Sequence, residues 1–518
     1  LLVASVEPAR LRIRLEAYAP GPLAARINGK TLKATDFSAD KGFQEIVIPI
    51  PGGAMRAGEN KLELLAKGTA LVDGRRRSFA IDWMRLEPSA RGGALLKVSP
   101  SPKPAPAAQG TLFERPQAPA NWTNPSVASV LTSLYPSSHH VQSDAAKLSD
   151  SITMVSEVYQ HAGFKTASFI TNSFVSPQFG FDQGWDLTVN KDYLADSDEG
   201  KAAAVFAAAS DWIAKNHDER FFLYIQTIDP HVPYDPPAKY IEMYDPKPYD
   251  GQVKNEETAG LLVQVNRSKV YLTERDKERV KALYDGEVTC HDTELAHFLA
   301  KMHDLGLDEN TIMVVVADHG EEFGEHGQWG HGHSVYQSLL HVPLIFRWPG
   351  VISAGARIDP VVSIIDIEPT VLEATGVPAP AQLEGRSLMG FMRGDWPRGP
   401  YVAFSEWKSL SRVIRAHDWK LTLQTFSPPA LYDLRNDPDE QKKLDSAEHP
   451  IAQRYLRTLI GQFLGTPDPA HWLAPAESTT ASPEKHELHE EKQTMTPELC
   501  RQLTALGYVV AECKGDSP

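Results

Sequence analysis

Apolar and polar positions alternate with a period of two over residues 11–18 (LRIRLEAY), and again over 43–50 (FQEIVIPI), 60–66 (NKLELLA) and 78–86 (SFAIDWMRL). That period sends one face of each run to a core and the other to water, so each run is predicted as a β-strand. Asn28-Gly29 reads as a hairpin turn, since both residue types tolerate the positive φ that a two-residue hairpin needs. Gly58-Glu59-Asn60 is a second turn signal ahead of a strand. Short strands with regular turns predict a small all-β sandwich over residues 1–88. The pattern then breaks at 99–109 (SPSPKPAPAAQ), a Pro/Ala/Ser-rich stretch, and residues 89–110 are predicted as a linker.

From residue 111 the period changes. Residues 202–215 (AAAVFAAASDWIAK) have helical spacing, and 274–304 form a second, longer helical stretch. Between them, 221–229 (FFLYIQTID) is a continuous apolar run, as expected of a strand covered on both faces. The run 311–320 (TIMVVVADHG) is another such strand, leading into a polar loop. Helices alternating with buried strands predict an α/β domain with a central, mostly parallel sheet over 111–465. Open parallel sheets place their chemistry beyond the carboxyl ends of the strands. Asp229-Pro230-His231 and Asp318-His319 both stand at such ends. In the tail, 466–518, residues 474–493 are polar and predicted to be disordered. A final short helix is predicted over 496–509, capped by Thr496, with Pro497 in its first turn and Gly507 at its end.

Composition changes this picture in three places. The chain of 518 residues is too long for one core, which agrees with two or three domains. The formal net charge of −15 argues against a general nucleic-acid binder. Residues 1–110 nonetheless hold 17 Lys/Arg against 10 Asp/Glu, either a solvated basic surface or a face for an anionic polymer. Three cysteines, Cys290, Cys500 and Cys513, make no disulfide framework; one Cys500–Cys513 bridge is compatible with the sequence but does not follow from it. No apolar run reaches the length of a membrane span.

Four segments carry candidate chemistry. Ala317-Asp318-His319-Gly320-Glu321-Glu322 puts a carboxylate beside an imidazole at a strand end, a compact pair of metal donors, with Gly320 allowing a sharp turn. Trp122-Thr123-Asn124-Pro125-Ser126-Val127 places a hydroxyl just before a helix start, with Pro125 in the first turn. Thr123 there is either an ordinary N-cap or a hydroxyl at the positive end of a helix, where an anionic ester would also be held. Asp229-Pro230-His231-Val232-Pro233-Tyr234 carries an imidazole suited to proton transfer near neutral pH. Gly330-His331-Gly332-His333 offers two more histidines, either surface groups or contacts to a metal or phosphate.

These segments together resemble the sulfatase family of the alkaline phosphatase superfamily, over roughly residues 111–510. The match extends to His341-Val342-Pro343-Leu344-Ile345, Trp348-Pro349-Gly350, Leu431-Tyr432-Asp433-Leu434 and Leu506-Gly507-Tyr508. The resemblance implies an alkaline-phosphatase-like α/β sandwich, preceded here by strands similar to jelly-roll modules. It implies a metal-dependent hydrolase or transferase of sulfate or phosphate esters, with a divalent cation (Ca, Mn, Zn or Mg) held by Asp318, His319 and Thr123. Thr123 is implied as nucleophile, His231 as the leaving-group contact, and His331 and His333 as substrate contacts. The implied substrate is a small-molecule, glycan or lipid-headgroup ester, and the implied location periplasmic or extracellular.

The sequence departs from the family in two ways. In sulfatases the nucleophile segment reads Cys-x-Pro-Ser-Arg and the Cys becomes formylglycine; here Thr123 stands at the Cys position and Val127 at the Arg position. Thr in that place resembles the superfamily's phosphodiesterases and its phosphoglycerol and phosphoethanolamine transferases, so phosphoester chemistry is expected. Secondly, the family opens with a strand ending in metal-binding Asp, whereas no Asp occurs between Asp82 and Asp144. The only acids in that interval are Glu87 and Glu114. The sheet is therefore expected to lack its usual first central strand, either split there or filled by 93–98 (GALLKV). A deletion, a degenerate non-catalytic binding protein and a site completed by other residues all fit this pattern.

Overall fold

The structure, a computed structural model, describes residues 110–190, 201–396, 401–465 and 490–506 and, within 1–88, the backbone of the strands. The chain divides into two compact units, Leu1–Pro102 and Lys103–Pro518. In the first, Ala9–Ala17 pairs antiparallel with both Phe79–Pro88 and Phe43–Ile50. Gly21–Ile27 pairs antiparallel with Lys30–Thr31, Thr35–Phe37 and Leu62–Ala66. Ile27 opposes Lys30 across Asn28-Gly29, the register of a two-residue hairpin. The four alternating runs are thus all strands, and every pairing described in this unit is antiparallel.

The second unit is α/β. Its elements are β1 (Thr111–Gln117), α1 (Thr123–Thr132), β2 (Lys165–Ile170), β3 (Leu187–Asn190), α2 (Lys201–Asn216) and β4 (Phe221–Gln226). There follow α3 (Glu274–Asp304), β5 (Met313–Val316), β6 (Leu344–Arg347), β7 (Ala356–Ser363) and α4 (Ile367–Thr375). Last come β8 (Val402–Trp407), β9 (Ser411–Ala416), β10 (Trp419–Gln424), β11 (Ser427–Asp433) and α5 (Pro450–Gly465).

The main sheet is in two pieces. β3-β2-β4 is wholly parallel, with Lys165 opposite Phe221 and Ile170 opposite Gln226. β5-β6-β1-β7 is mixed: β6 runs antiparallel to both β5 and β1, and β1 is parallel to β7. A split was one of the two outcomes expected from the sequence; the mixed strand directions of β5-β6-β1-β7 correct in part the expectation of a mostly parallel sheet. Among the described residues β4 and β5 are edges of their pieces, and every residue of both is only half-buried, whereas β2 is buried from Thr166 onward. Met313 of β5 packs in one apolar cluster with Phe221, Leu223 and Ile225 of β4. Among the described residues, packing rather than a hydrogen-bond ladder joins the two pieces.

Helix positions follow from side-chain spacing. α2 buries Ala202, Val205, Phe206, Ala209 and Ile213, an i, i+3, i+4 stripe that covers the β2 and β4 side chains. α3 starts at a capping box: Thr273 Oγ1 accepts from the Asp276 backbone N–H, and the Asp276 carboxylate accepts from Thr273 N–H at 2.9 Å. A separate antiparallel meander, β8-β9-β10-β11, packs Phe404, Ile414, Leu421 and Leu431 against Leu456, Leu459, Ile460 and Phe463 of α5.

Two expectations for the tail change. Glu491–Lys492, inside the stretch expected to be disordered, forms a short strand antiparallel to Ala146–Lys147. The last helix spans Pro497–Ala505 with the Thr496 hydroxyl accepting from Leu499 N–H, while Gly507 lies outside the described residues, as do the linker 89–109 and the run 93–98. Cys500 is disulfide-bonded, and Cys290 is a buried free thiol. Among the described residues no helix is long and apolar enough to cross a membrane.

Candidate functional site

β4 and β5 both deliver polar loops to one place. Beyond β5 the chain turns at Asp318-His319-Gly320. Gly320 is needed for proximity rather than for positive φ: a Cβ there would lie 2.0 Å from the Ser338 carbonyl oxygen, and its N–H donates to Leu339 O at 2.8 Å. The start of α1 is tied to this turn by the Ser126 hydroxyl, which donates to the Asp318 carbonyl at 2.5 Å. Helix α1 begins at Thr123 itself, with Trp122 as N-cap residue, so the simple capping reading of Thr123 is replaced. The Thr123 side chain is buried and its Oγ1 lies 3.2 Å from His319 Nε2.

Hydrogen bonds fix the ring tautomers. His319 Nδ1 donates to the Gly320 carbonyl at 2.8 Å, so Nε2 is its unprotonated nitrogen, facing the Thr123 hydroxyl. Burial holds the His319 imidazole below its ordinary pKa, although Asp318 opposes the shift. His231 Nδ1 donates to Val232 O at 2.6 Å, and burial, assisted by His331, pushes this imidazole down to about 3. His331 behaves oppositely. Burial disfavours its charge, but the Glu321 carboxylate, 2.9 Å from Nδ1, outweighs burial and holds the ring above its usual value. Glu321 is buried too, yet His331 and its neighbours bring it down to about 2, and its second oxygen accepts from the Tyr234 hydroxyl at 2.9 Å. The His331 ring lies 4.3 Å from that of His319 and 4.9 Å from that of His231. The site therefore sets one imidazole whose charge is favoured between two whose charge is disfavoured.

Of the residues expected from sequence, Thr123, His231, Asp318, His319 and His331 come together. His333 is engaged elsewhere: its Nε2 meets Glu322 at 2.8 Å, and Glu322 also binds His326 and the Ser334 hydroxyl. Sequence reasoning missed Ser126, Glu321 and Tyr234. Glu321 sat in view as the third residue after Asp318 within the metal motif; the other two gave no signal of their own.

A divalent cation can be tested against the donors present. Asp318 Oδ2 is buried without a hydrogen-bond partner and lies 3.8 Å from His319 Nε2. That orphaned oxygen and an unprotonated imidazole beside a hydroxyl fit one face of a cation. Among the described residues, however, no group of three or more His, Cys, Asp or Glu side chains is arranged to hold a metal. Glu114, the only acid of residues 110–122, turns away to Arg357 at 2.6 Å. Asp318, His319 and Thr123 thus offer donors for one face of a cation, and no further carboxylate joins them among the described residues.

A family model for sulfatases matches residues 98–377, more than half of the chain. The chain belongs to the sulfatase family. A second model, the N-sulphoglucosamine sulphohydrolase C-terminal region, matches 324–461, which includes the β8–β11 meander and most of α5. An arylsulfatase of Clostridium perfringens is 28% identical over 311 residues, covering 56% of this chain and 60% of that protein. Arylsulfatase K of Homo sapiens is 31% identical over 183 residues, 32% of this chain and 34% of that protein. The chain thus spans less than two thirds of these sulfatases. The phosphonate monoester hydrolase of Silicibacter pomeroyi shares the fold at a TM-score of 0.59 and 21% identity, covering 70% of this chain and 90% of that one. Sulfatase-family proteins depend generally on a divalent metal, and the alkaline-phosphatase-like α/β fold holds for this chain.

Proposed function

We propose that this protein cleaves sulfate or phosphate esters, with phosphoesters and phosphonate esters preferred, using Thr123 as nucleophile. The observation that carries the reading is the Thr123 hydroxyl 3.2 Å from the unprotonated Nε2 of a buried His319, at the start of a ten-residue helix. In this arrangement His319 Nε2 accepts the hydroxyl proton while Thr123 Oγ1 forms the bond to phosphorus or sulfur. The bond to the leaving oxygen breaks. That oxygen takes its proton from His231, which the neighbouring His331, whose charge Glu321 favours, resupplies. Water then releases the acid from Thr123. Asp318, His319 and Thr123 are the residues that would hold a divalent cation; with it bound, the His319 Nε2 lone pair would be a ligand rather than the base, and the positive charge would itself favour the ionised hydroxyl and the transferred group.

A threonine cannot become formylglycine, which favours phosphorus over sulfur. A small-molecule, glycan or lipid-headgroup ester is the substrate class, and a periplasmic or extracellular location accords with the bacterial relatives. The split sheet, and the lack of a second set of carboxylates at the site among the described residues, favour a second reading, a catalytically impaired sulfatase-like binding protein.

Metal analysis of the purified full chain, with turnover of an aryl phosphodiester, an aryl phosphonate and an aryl sulfate, tests the proposal. Thr123→Ala should lower kcat by about a thousand-fold or more while the fold persists, and Thr123→Ser should keep part of it. Asp318→Ala should release bound metal. Full activity in the Thr123→Ala variant would refute the nucleophile, and absence of turnover on all three esters would leave the binding-protein reading.

A further inference from the structure

The loop that carries His231 has an unusual supply of hydrogen bonds. Pro230, Pro233, Pro236 and Pro237 bring no N–H, so the loop cannot extend β4 into a ladder. Its donors are met by side chains from elsewhere. The N–H of His231 donates to Glu287 Oε2 at 3.1 Å and that of Asp235 to Glu287 Oε1 at 2.8 Å. The N–H of Tyr234 donates to the Thr258 hydroxyl at 2.8 Å. At the start of the loop, Asp229 Oδ2 accepts from Ala202 N–H at the head of α2 at 2.7 Å.

Glu287 is buried in the middle of α3, with 2% of its surface exposed. A buried carboxylate is costly unless its oxygens are bonded, and here both are spent on the two amides that flank the His231–Asp235 segment. The residue before it is glycine for a related reason. A Cβ on Gly286 would lie 2.9 Å from Pro236 Cγ, so only glycine lets the loop lie this close to the helix. Glycine within a helix is less favourable than alanine, a cost accepted here for the approach. The ring of His231 is held separately by Val232 O. Backbone and ring are thus fixed by different partners, and the backbone partner reaches in from outside the site.

We propose that Glu287 is a positioning residue for His231: its carboxylate sets where the imidazole meets the leaving oxygen. The inference rests on the role given to His231 above. A residue that acts only through His231 loses its effect once that imidazole is gone, whereas a residue that merely supports the fold does not.

The test is a double-mutant cycle on the full chain, read as kcat and KM on aryl and alkyl esters. Glu287→Gln keeps one acceptor oxygen but turns an NH2 group toward the other amide. It should cost kcat about ten-fold on an alkyl ester, whose poor leaving group needs His231, and much less on a nitrophenyl ester, with KM nearly constant. In the His231→Ala background the same change should cost less than about two-fold. Equal losses in both backgrounds, or no dependence on the leaving group, would overturn the positioning role and leave the reading of His231 intact. Unaltered turnover in His231→Ala, or an inactive parent, would overturn both. If Glu287→Gln does not fold, Glu287→Ala, which leaves room for water between the two amides, takes its place in the same cycle.

Discussion

His139 shows how one buried residue sets a dependence on pH. It lies between α1 and the following loop, accepting at Nδ1 from Val141 N–H at 3.1 Å, with Nε2 2.9 Å from the Ser129 hydroxyl. Burial pushes its pKa from 6.5 down to about 3. The folded state therefore refuses a proton that the unfolded state takes up below pH 6.5. The unfolded chain binds more protons across that window, so stability rises with pH there and falls on acidification. Between pH 6.5 and 4.5 this single group should remove about 2–3 kcal/mol. Denaturant titrations at several pH values check this: His139→Leu should be less stable at pH 7.5 but show a visibly flatter fall over the window. An unchanged slope would exclude His139 as its source. At this scale the sequence brought forward residues that the structure gathers in one place. Thr123, Asp318 and His319 stand in motifs because their chemistry constrains neighbours in the chain. Glu287 and Ser126 were illegible, since their partners lie 56 and 192 positions away and only the fold brings them together.

At the scale of elements, the strands and helices with strong periodicity were legible from the residues alone: Phe221–Gln226, Met313–Val316, Lys201–Asn216 and Glu274–Asp304. The meander β8–β11 was not, because its runs were noticed only as family fragments. It is tied to the site through the segment after His333. Lys420 of β10 pairs with Glu440 at 2.6 Å, both side chains fully buried, and donates to Val335 O at 2.5 Å. Glu440 in turn accepts from Gln337 N–H at 2.5 Å, and Arg415 of β9 reaches the Gln337 side chain. Burial lowers the Lys420 pKa, with Glu440 opposing. Removing one partner of such a pair strands a charge, so Lys420→Met should cost about 3–5 kcal/mol. Lys420→Met combined with Glu440→Leu should recover a large part of that loss, because the stranded carboxylate is gone. Equal destabilisation by the single and double changes, measured by urea unfolding, would show that the cost is one of packing rather than charge.

At the scale of the whole molecule, the sheet pieces β3-β2-β4 and β5-β6-β1-β7 explain why a recognisable family motif coexists with a thin set of metal donors. The two strands that carry Asp229 and Asp318 toward the site are both present, and among the described residues no strand pairs between them. The first unit can be tested apart from this question. Its strands pair only with one another among the described residues, and residues 1–110 carry the basic excess against an otherwise acidic chain. We expect residues 1–88 to fold independently as a β-sandwich, since each alternating run supplies one apolar face and the antiparallel partners to cover it lie within that stretch. Limited proteolysis of the full chain should then cut first within 99–110, where prolines deny the backbone any regular ladder. A fragment ending near residue 98 should keep a cooperative thermal transition and a β-type circular dichroism spectrum. First cuts inside 11–86, with 99–110 resistant, would place the boundary elsewhere and make the two units a single folding body.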